Sequence, residues 1–261
     1  MTDGAPYGTF LRARYRVILG YTGLVCSIIG AIILAPAVLV LFFPDQRALA
    51  GTFLGTGLTL LLLSAVTWHL CRPPAGTSLS FNEGAAVVVL SWLVAIGAGA
   101  IPFLASGLNV TRAVFESTSG WTTTGLSVVD VSSTSALLLF FRSLMQLAGG
   151  AGLAILMLSA LTGPPGVSLS SAEGHGTLLV PHVRRSARLV MTLYSSYILF
   201  GIGALKGAGM GWFDAVNHAF CALSTGGFST RAESIGAWNS AAVELVTILM
   251  MGLGMTNFLV G

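Results

Sequence analysis

Two short stretches combine hydroxyl side chains with glycine inside an otherwise apolar chain. They are residues 122–125 (Thr-Thr-Thr-Gly) and residues 224–227 (Ser-Thr-Gly-Gly). Threonine and glycine are weak helix formers, so each stretch predicts a loop. Non-helical backbone at membrane depth is tolerated only where protein buries it or where it lines a watery cavity. Because carbonyl and hydroxyl oxygens can replace the hydration shell of a cation, both loops are candidate ion filters.

The two loops occupy corresponding places in an internal repeat with an offset of 102 residues. Gly125 and Gly227 fall in the same slot, and glycine allows the positive φ that would turn successive carbonyls toward one axis. The alternative is that both loops are re-entrant turns that only pack. The candidate ion ligands are Thr123, Thr124, Gly125, Thr225, Gly226 and Gly227.

A short helical stretch precedes each loop, at about residues 112–121 and 212–223. A membrane-spanning helix needs about 20 residues, so neither stretch can cross a bilayer. The repeating unit is therefore a span, a half-helix, a loop and a second span. The half-helices would aim their partly negative C-terminal ends at the ion path and modestly favour a cation there.

The composition places the chain in a membrane. Of its 261 residues, 54% are hydrophobic and only 8% are charged, whereas soluble proteins carry roughly 25% charged residues. The net charge of +3 is better explained by basic residues in cytoplasmic loops than by nucleic-acid binding. We expect lipid contact and no nucleic-acid partner.

The predicted fold is an all-α integral membrane protein with a leading transmembrane hairpin and two pore repeats. The hairpin covers residues 1–75, the first repeat residues 76–165 and the second repeat residues 166–261. We expect a polar N-terminal segment over residues 1–16, a first span from about residue 17, and a loop over residues 162–184.

Basic residues indicate a cytoplasmic N-terminus, because they concentrate in cytoplasmic loops. This orientation puts seven of them inside and four outside, provided that both half-helices enter and leave on one side. The inside set is Arg12, Arg14, Arg16, Arg72, Arg184, Arg185 and Arg188, and the outside set is Arg47, Arg112, Lys206 and Arg231.

Arg142 lies about two turns inside the fourth span. An intramembrane charge is costly and usually paired, with Glu116 or Glu244 as the candidate partner. We expect a pair that braces the half-helix, the alternative being an electrostatic role beside the ion path. Gln146, one turn further on, is expected to brace the same loop. His218 is expected to be packed and hydrogen-bonded.

Three motifs, at residues 115–125, 141–150 and 218–229, resemble the TrkH/KtrB superfamily of potassium transporters. The likeness runs from about residue 81 to the C-terminus, and the leading hairpin favours the TrkH branch. It implies potassium uptake across a bacterial cytoplasmic (inner) membrane, by four repeats around a pseudo-fourfold pore. It also implies homodimers and a cytoplasmic nucleotide-binding regulatory subunit of the TrkA or KtrA type.

Two repeats are present where the resemblance implies four. We expect a chain truncated at Gly261, the alternative being a natural half-length protein that pairs. The competing function is a secondary carrier with broken helices for another small ion or solute. We do not expect an enzyme, because the sequence holds no HExxH, GxSxG or P-loop motif. The sequence does not distinguish selectivity for potassium from selectivity for sodium, or a channel from a coupled transporter.

Overall fold

The computed structural model describes residues 7–74, 77, 79–161 and 179–255, with the backbone alone for 7, 81, 151–161 and 179–190. These residues form eight α-helices and no strand. The chain divides into two compact units, Met1–Leu108 and Asn109–Gly261. The helices are α1 (Tyr7–Leu34), α2 (Arg47–Cys71), α3 (Phe81–Ala105), α4 (Val110–Trp121), α5 (Ala136–Leu161), α6 (Leu179–Gly207), α7 (Trp212–Leu223) and α8 (Ala241–Gly254).

The first unit consists of α1, α2 and α3, which pack against one another. All three are long and apolar enough to cross a membrane, over Gly8–Leu41, Pro44–Cys71 and Asn82–Ala105, and each contains an 18-residue stretch with a mean hydropathy of 2.8, 1.8 and 2.3 respectively. The 3-10 segment Ala35–Leu41 continues α1. Glycines let α1 and α2 approach closely, since a Cβ atom on Gly57 would lie 2.9 Å from the Gly30 carbonyl oxygen.

The first helix begins ten residues before the expected span. The arginines at its start are compatible with a helix because arginine is a good helix former, and Arg14 is also ion-paired with Glu83 on α3. Glu83 also closes a capping box, in which the Ser80 backbone N–H donates to the Glu83 carboxylate at 2.8 Å. The polar N-terminal segment is therefore part of α1 from Tyr7 onward.

The second unit contains both half-helices. Helices α4 and α7 have 12 residues each, about 18 Å at 1.5 Å per residue, and neither can cross a hydrocarbon core of about 30 Å. Asn109 caps α4 by accepting the Arg112 N–H at 2.9 Å, and Ser240 caps α8. The predicted half-helices are confirmed.

Two boundaries in the second unit differ from the expectation. Helix α6 begins at Leu179, so residues 179–184, expected in a loop, are helical. The rest of that loop, residues 162–178, lies outside the described residues. The repeat boundary at residue 165 lies there too, and the repeat boundaries remain predictions.

Helix α7 packs against α5, α6 and α8 and is mostly buried. Two apolar clusters hold it there, one toward each end of the helix. One contains Tyr194, Ala222, Leu223 and Met250, and the other Leu205, Met210, Ala215, Ala219 and Val243. This packing fixes the end of α7 from which the second loop begins.

Candidate functional site

We call residues 122–126 the first loop and residues 224–228 the second loop. Each loop folds back on the half-helix before it through three backbone hydrogen bonds at corresponding positions. In the first loop, the backbone N–H groups of residues 122, 123 and 124 donate to the carbonyls of residues 118, 120 and 119, at 2.9, 3.2 and 3.0 Å. In the second loop, those of residues 224, 225 and 226 donate to the carbonyls of residues 220, 222 and 221, at 3.1, 3.1 and 2.9 Å. The repeat in sequence is therefore also a repeat in backbone structure.

The dihedral angles repeat as well. Thr123 and Thr225 have φ of 54° and 51°, and Gly125 and Gly227 have φ of 78° and 87°. Glycine enters this region readily, but a β-branched residue there is an outlier. Strain of this kind concentrates at functional sites. The loops therefore share an uncommon conformation that alternates positive and negative φ.

The two loops touch. A Cβ atom on Gly125 would lie 1.9 Å from the Gly226 carbonyl oxygen, closer than any side chain allows. The equivalent Cβ on Gly227 would come no closer than 4.0 Å to Gly125. Gly125 is therefore required for contact between the loops as well as for its φ.

A buried ion pair supports the first loop. The Arg142 Nε atom donates to Glu116 at 2.7 Å, with both side chains almost fully buried. The same carboxylate accepts the Ser127 hydroxyl at 2.9 Å and the Val128 N–H at 3.0 Å. Glu244, the other candidate partner, is exposed. Glu116 thus links α4, α5 and the chain that leaves the first loop.

Arg142 also reaches the second loop. Its guanidinium donates to the Ser127 hydroxyl at 2.8 Å and to the Ser229 carbonyl at 3.3 Å. The guanidinium carbon lies 4.0 Å from the centre of the Phe228 ring, a cation–π geometry. One side chain of α5 therefore contacts the exits of both loops.

Gln146 contacts the second loop, not the first loop as expected. Its Nε2 atom donates to the Gly226 carbonyl at 2.8 Å, and its Oε1 atom accepts the Phe228 N–H at 3.1 Å. The amide thereby bridges the two residues on either side of Gly227, whose φ is positive. The expectation was wrong because one face of α5 approaches both loops, and spacing along a helix does not show which loop a side chain meets.

His218 occupies the slot that Glu116 occupies in the first repeat. Its Nδ1 atom lies 2.8 Å from the Asp214 carbonyl, and its Nε2 atom lies 3.0 Å from the Ser229 hydroxyl. It also packs edge-on against Trp238, with 5.0 Å between ring centres. His218 is therefore a packed, hydrogen-bonded histidine.

Sequence reasoning missed two features of this site. Ser127 and Ser229, also 102 residues apart, bind Glu116 and His218 respectively, and the repeat offset could have identified them. Asp214 accepts the Thr230 hydroxyl at 2.6 Å and Arg231 at 2.9 Å. No sequence signal pointed to this second contact.

The family match covers the whole site. Residues 51–261 match the family model of TrkH, described as a cation transport protein. The chain belongs to the TrkH family. The resemblance inferred from the three motifs is therefore confirmed, as is the all-α integral membrane fold.

Several similar proteins are named as potassium uptake proteins or potassium transporters. The chain is 33% identical to the Trk system potassium uptake protein TrkH of Vibrio parahaemolyticus, over 94% of this chain and 52% of the relative. It is 32% identical to TrkG of Escherichia coli, with the same coverage. The crystal structure of the potassium transporter TrkH from Vibrio parahaemolyticus matches with a TM-score of 0.78 and 32% identity, covering 90% of this chain and 48% of that one. The chain spans about half the length of these relatives, and their names do not favour the carrier alternative.

Proposed function

We propose that this chain supplies two loops of a pore for potassium uptake across a bacterial cytoplasmic membrane. The observation that carries the proposal is the pair of touching loops with the same strained backbone. Touching loops of like conformation are what a shared ring of oxygen ligands requires. Two relatives named as potassium uptake proteins support potassium as the transported ion.

The proposed ligands are oxygens of Thr123, Thr124 and Gly125 in the first loop and their counterparts in the second, Thr225, Gly226 and Gly227. All are neutral oxygens, which suit a weakly hydrated monovalent ion, whereas calcium and magnesium sites generally use carboxylates. The Gly226 carbonyl has one lone pair left after its hydrogen bond to Gln146. The C-terminal ends of α4 and α7 add a modest attraction for a cation.

Glu116, Arg142 and Gln146 are the proposed supports. Glu116 and Arg142 hold the exits of the loops, and Gln146 binds the Gly226 carbonyl on one lone pair and leaves the other to the ion. Because Glu116 neutralises Arg142 at 2.7 Å, the arginine can brace both loops without a strong repulsion of cations. Their role in this proposal is to keep the oxygens in place.

The assembly is also a proposal. A filter of this kind needs about four loops around one axis, and the described residues contain two. We propose a homodimer of pore-forming proteins, a cytoplasmic nucleotide-binding regulatory subunit of the TrkA or KtrA type, and a cytoplasmic N-terminus. Native mass spectrometry of the natural gene product measures the number of chains. Labelling of the variant Thr9→Cys in intact cells reports the side of the N-terminus.

Rubidium uptake into proteoliposomes tests the function. Vesicles with the natural protein should accumulate radioactive rubidium, potassium should compete and sodium should compete poorly. The variant Gly125→Ala should lose this preference. Gly252→Ala should keep it, because a Cβ atom there has no neighbour within 4 Å. Uptake that ignores potassium, or an unchanged preference in Gly125→Ala, contradicts the proposal.

A further inference from the structure

Each half-helix ends on a carbonyl that the loop does not use. The last turn of a helix leaves four carbonyls without partners inside the helix. In α4, the loop N–H groups occupy the carbonyls of Thr118, Ser119 and Gly120. Trp121, the fourth, has no hydrogen-bond donor among the described contacts. Helix α7 repeats this pattern, and Leu223 takes the place of Trp121.

A glycine of the following helix covers each of these carbonyls. A Cβ atom on Gly149 of α5 would lie 2.0 Å from the Trp121 oxygen, and one on Gly254 of α8 would lie 2.0 Å from the Leu223 oxygen. Only a hydrogen fits in this space, so the glycine Cα–H faces the carbonyl. Such Cα–H···O contacts recur where helices approach closely.

The two contacts are related by the repeat. Gly149 and Gly254 lie 105 residues apart, and so do the capping serines Ser135 and Ser240 at the starts of α5 and α8. The half-helices repeat at 102 residues. The connection between loop and helix is thus three residues longer in the second repeat, and each glycine still meets the final carbonyl of its own half-helix.

We propose that Gly149 and Gly254 are positioning residues that set the depth and direction of the two half-helix ends. The inference rests on the proposed function, because these ends carry the loops that would bind the ion. Any side chain at either position pushes the half-helix away from the following helix. The loop N–H groups bonded to the preceding turn then lose their alignment.

Hydrogen exchange tests the positioning without any ion flux. In the natural full-length protein, Gly149→Ala should speed the exchange of residues 122–124 by about tenfold or more and leave residues 224–226 near the wild-type rate. Gly254→Ala should do the reverse. The control Gly252→Ala, two residues away on α8 in open space, should change neither. Unchanged exchange in both loops, or equal changes in both from one variant, overturns the proposal.

Gly150→Ala provides a milder variant on α5. A Cβ atom there would lie 3.0 Å from the Ser224 Cβ atom, tight but not prohibitive. If Gly149→Ala does not fold, Gly150→Ala should speed exchange in the second loop alone. The proposal is then decided by Gly254→Ala, and unchanged exchange of residues 224–226 in that variant overturns it.

Rubidium and sodium uptake by the same variants separates this inference from the function. Gly149→Ala and Gly254→Ala should each lower the ratio of rubidium to sodium uptake, and Gly252→Ala should not. Local exchange changes in a protein that shows no selective uptake would contradict the proposed function and leave the positioning role standing. Selective uptake without a local change in hydrogen exchange would support the proposed function and contradict the positioning role.

Discussion

The first and second loops have the same backbone and different supports. The first is held by a charged group of its own half-helix, Glu116, which binds Arg142. In the second, a histidine occupies the corresponding position, and Gln146 of the preceding repeat supplies two hydrogen bonds to the loop. Helix α5 therefore contacts both loops through its side chains. The comparison teaches that the conformation of a loop can repeat while the groups that stabilise it do not.

The largest effect is expected from breaking the ion pair of the first loop. Arg142→Leu leaves Glu116 buried without its cation, which costs about 3–5 kcal/mol. The yield of folded protein and its melting temperature should fall more than ion preference shifts in the protein that folds. Glu244→Gln is the matched control, because Glu244 is exposed. A normal yield of folded protein with altered ion selectivity would show that Arg142 acts on the ion path and not on folding.

Gly125 and Gly227 separate strain from contact. Gly125→Ala combines a positive φ with a Cβ atom 1.9 Å from the Gly226 oxygen, at a cost of about 2–4 kcal/mol. Gly227→Ala has the strain and more room, at about 1–2 kcal/mol. Melting temperature and rubidium-to-sodium ratio should both be lower in Gly125→Ala. Equal losses in the two variants would show that the contact between the loops contributes nothing.

Gln146→Leu should act on the second loop alone. It removes one donor and one acceptor, leaving the Gly226 carbonyl and the Phe228 N–H buried without partners, at a cost of about 1–3 kcal/mol. Hydrogen exchange should quicken in residues 226–228 while residues 122–126 stay near the wild-type rate. Faster exchange in the first loop instead would contradict the assignment of Gln146 to the second loop.

The smallest effect is expected at the outer contact of the second repeat. Arg231 binds the largely buried Asp214, but the Arg231 side chain is 55% exposed. Exposed pairs contribute about 0–1 kcal/mol, so Arg231→Gln should lower the melting temperature by a degree or so. Thr230→Val, which removes a buried hydroxyl bound to the same carboxylate, should cost more. A larger loss of stability in Arg231→Gln than in Thr230→Val would show that Arg231 is the main partner of Asp214.

The two half-helices could be predicted from the sequence to within two residues. The half-helix at 212–223 was placed at its observed bounds, and the one at 112–121 began two residues early in the structure, at Val110. Composition and the offset of 102 residues sufficed, because they report local propensity and repetition. The start of α1 lies ten residues before the expected span, because residues 7–16 are helical without forming an apolar run.

Contacts across the repeats could not be predicted. Gln146 is one turn from Arg142, so the sequence suggested a common target, yet it binds the second loop, 80 residues away. Which face of a helix meets which loop depends on how several helices pack, and the sequence repeat does not encode it. The functional roles of all these residues remain proposals.

The threonines at 123 and 225 have a consequence for protein engineering. Each is held at a φ near +50°, which costs a non-glycine residue about 1–2 kcal/mol. Substituting glycine at both positions is therefore expected to raise the thermal stability of the protein. That exchange would relieve the strained backbone and also remove the branched side chains that limit its range of motion, so the more heat-resistant protein would carry the looser loops.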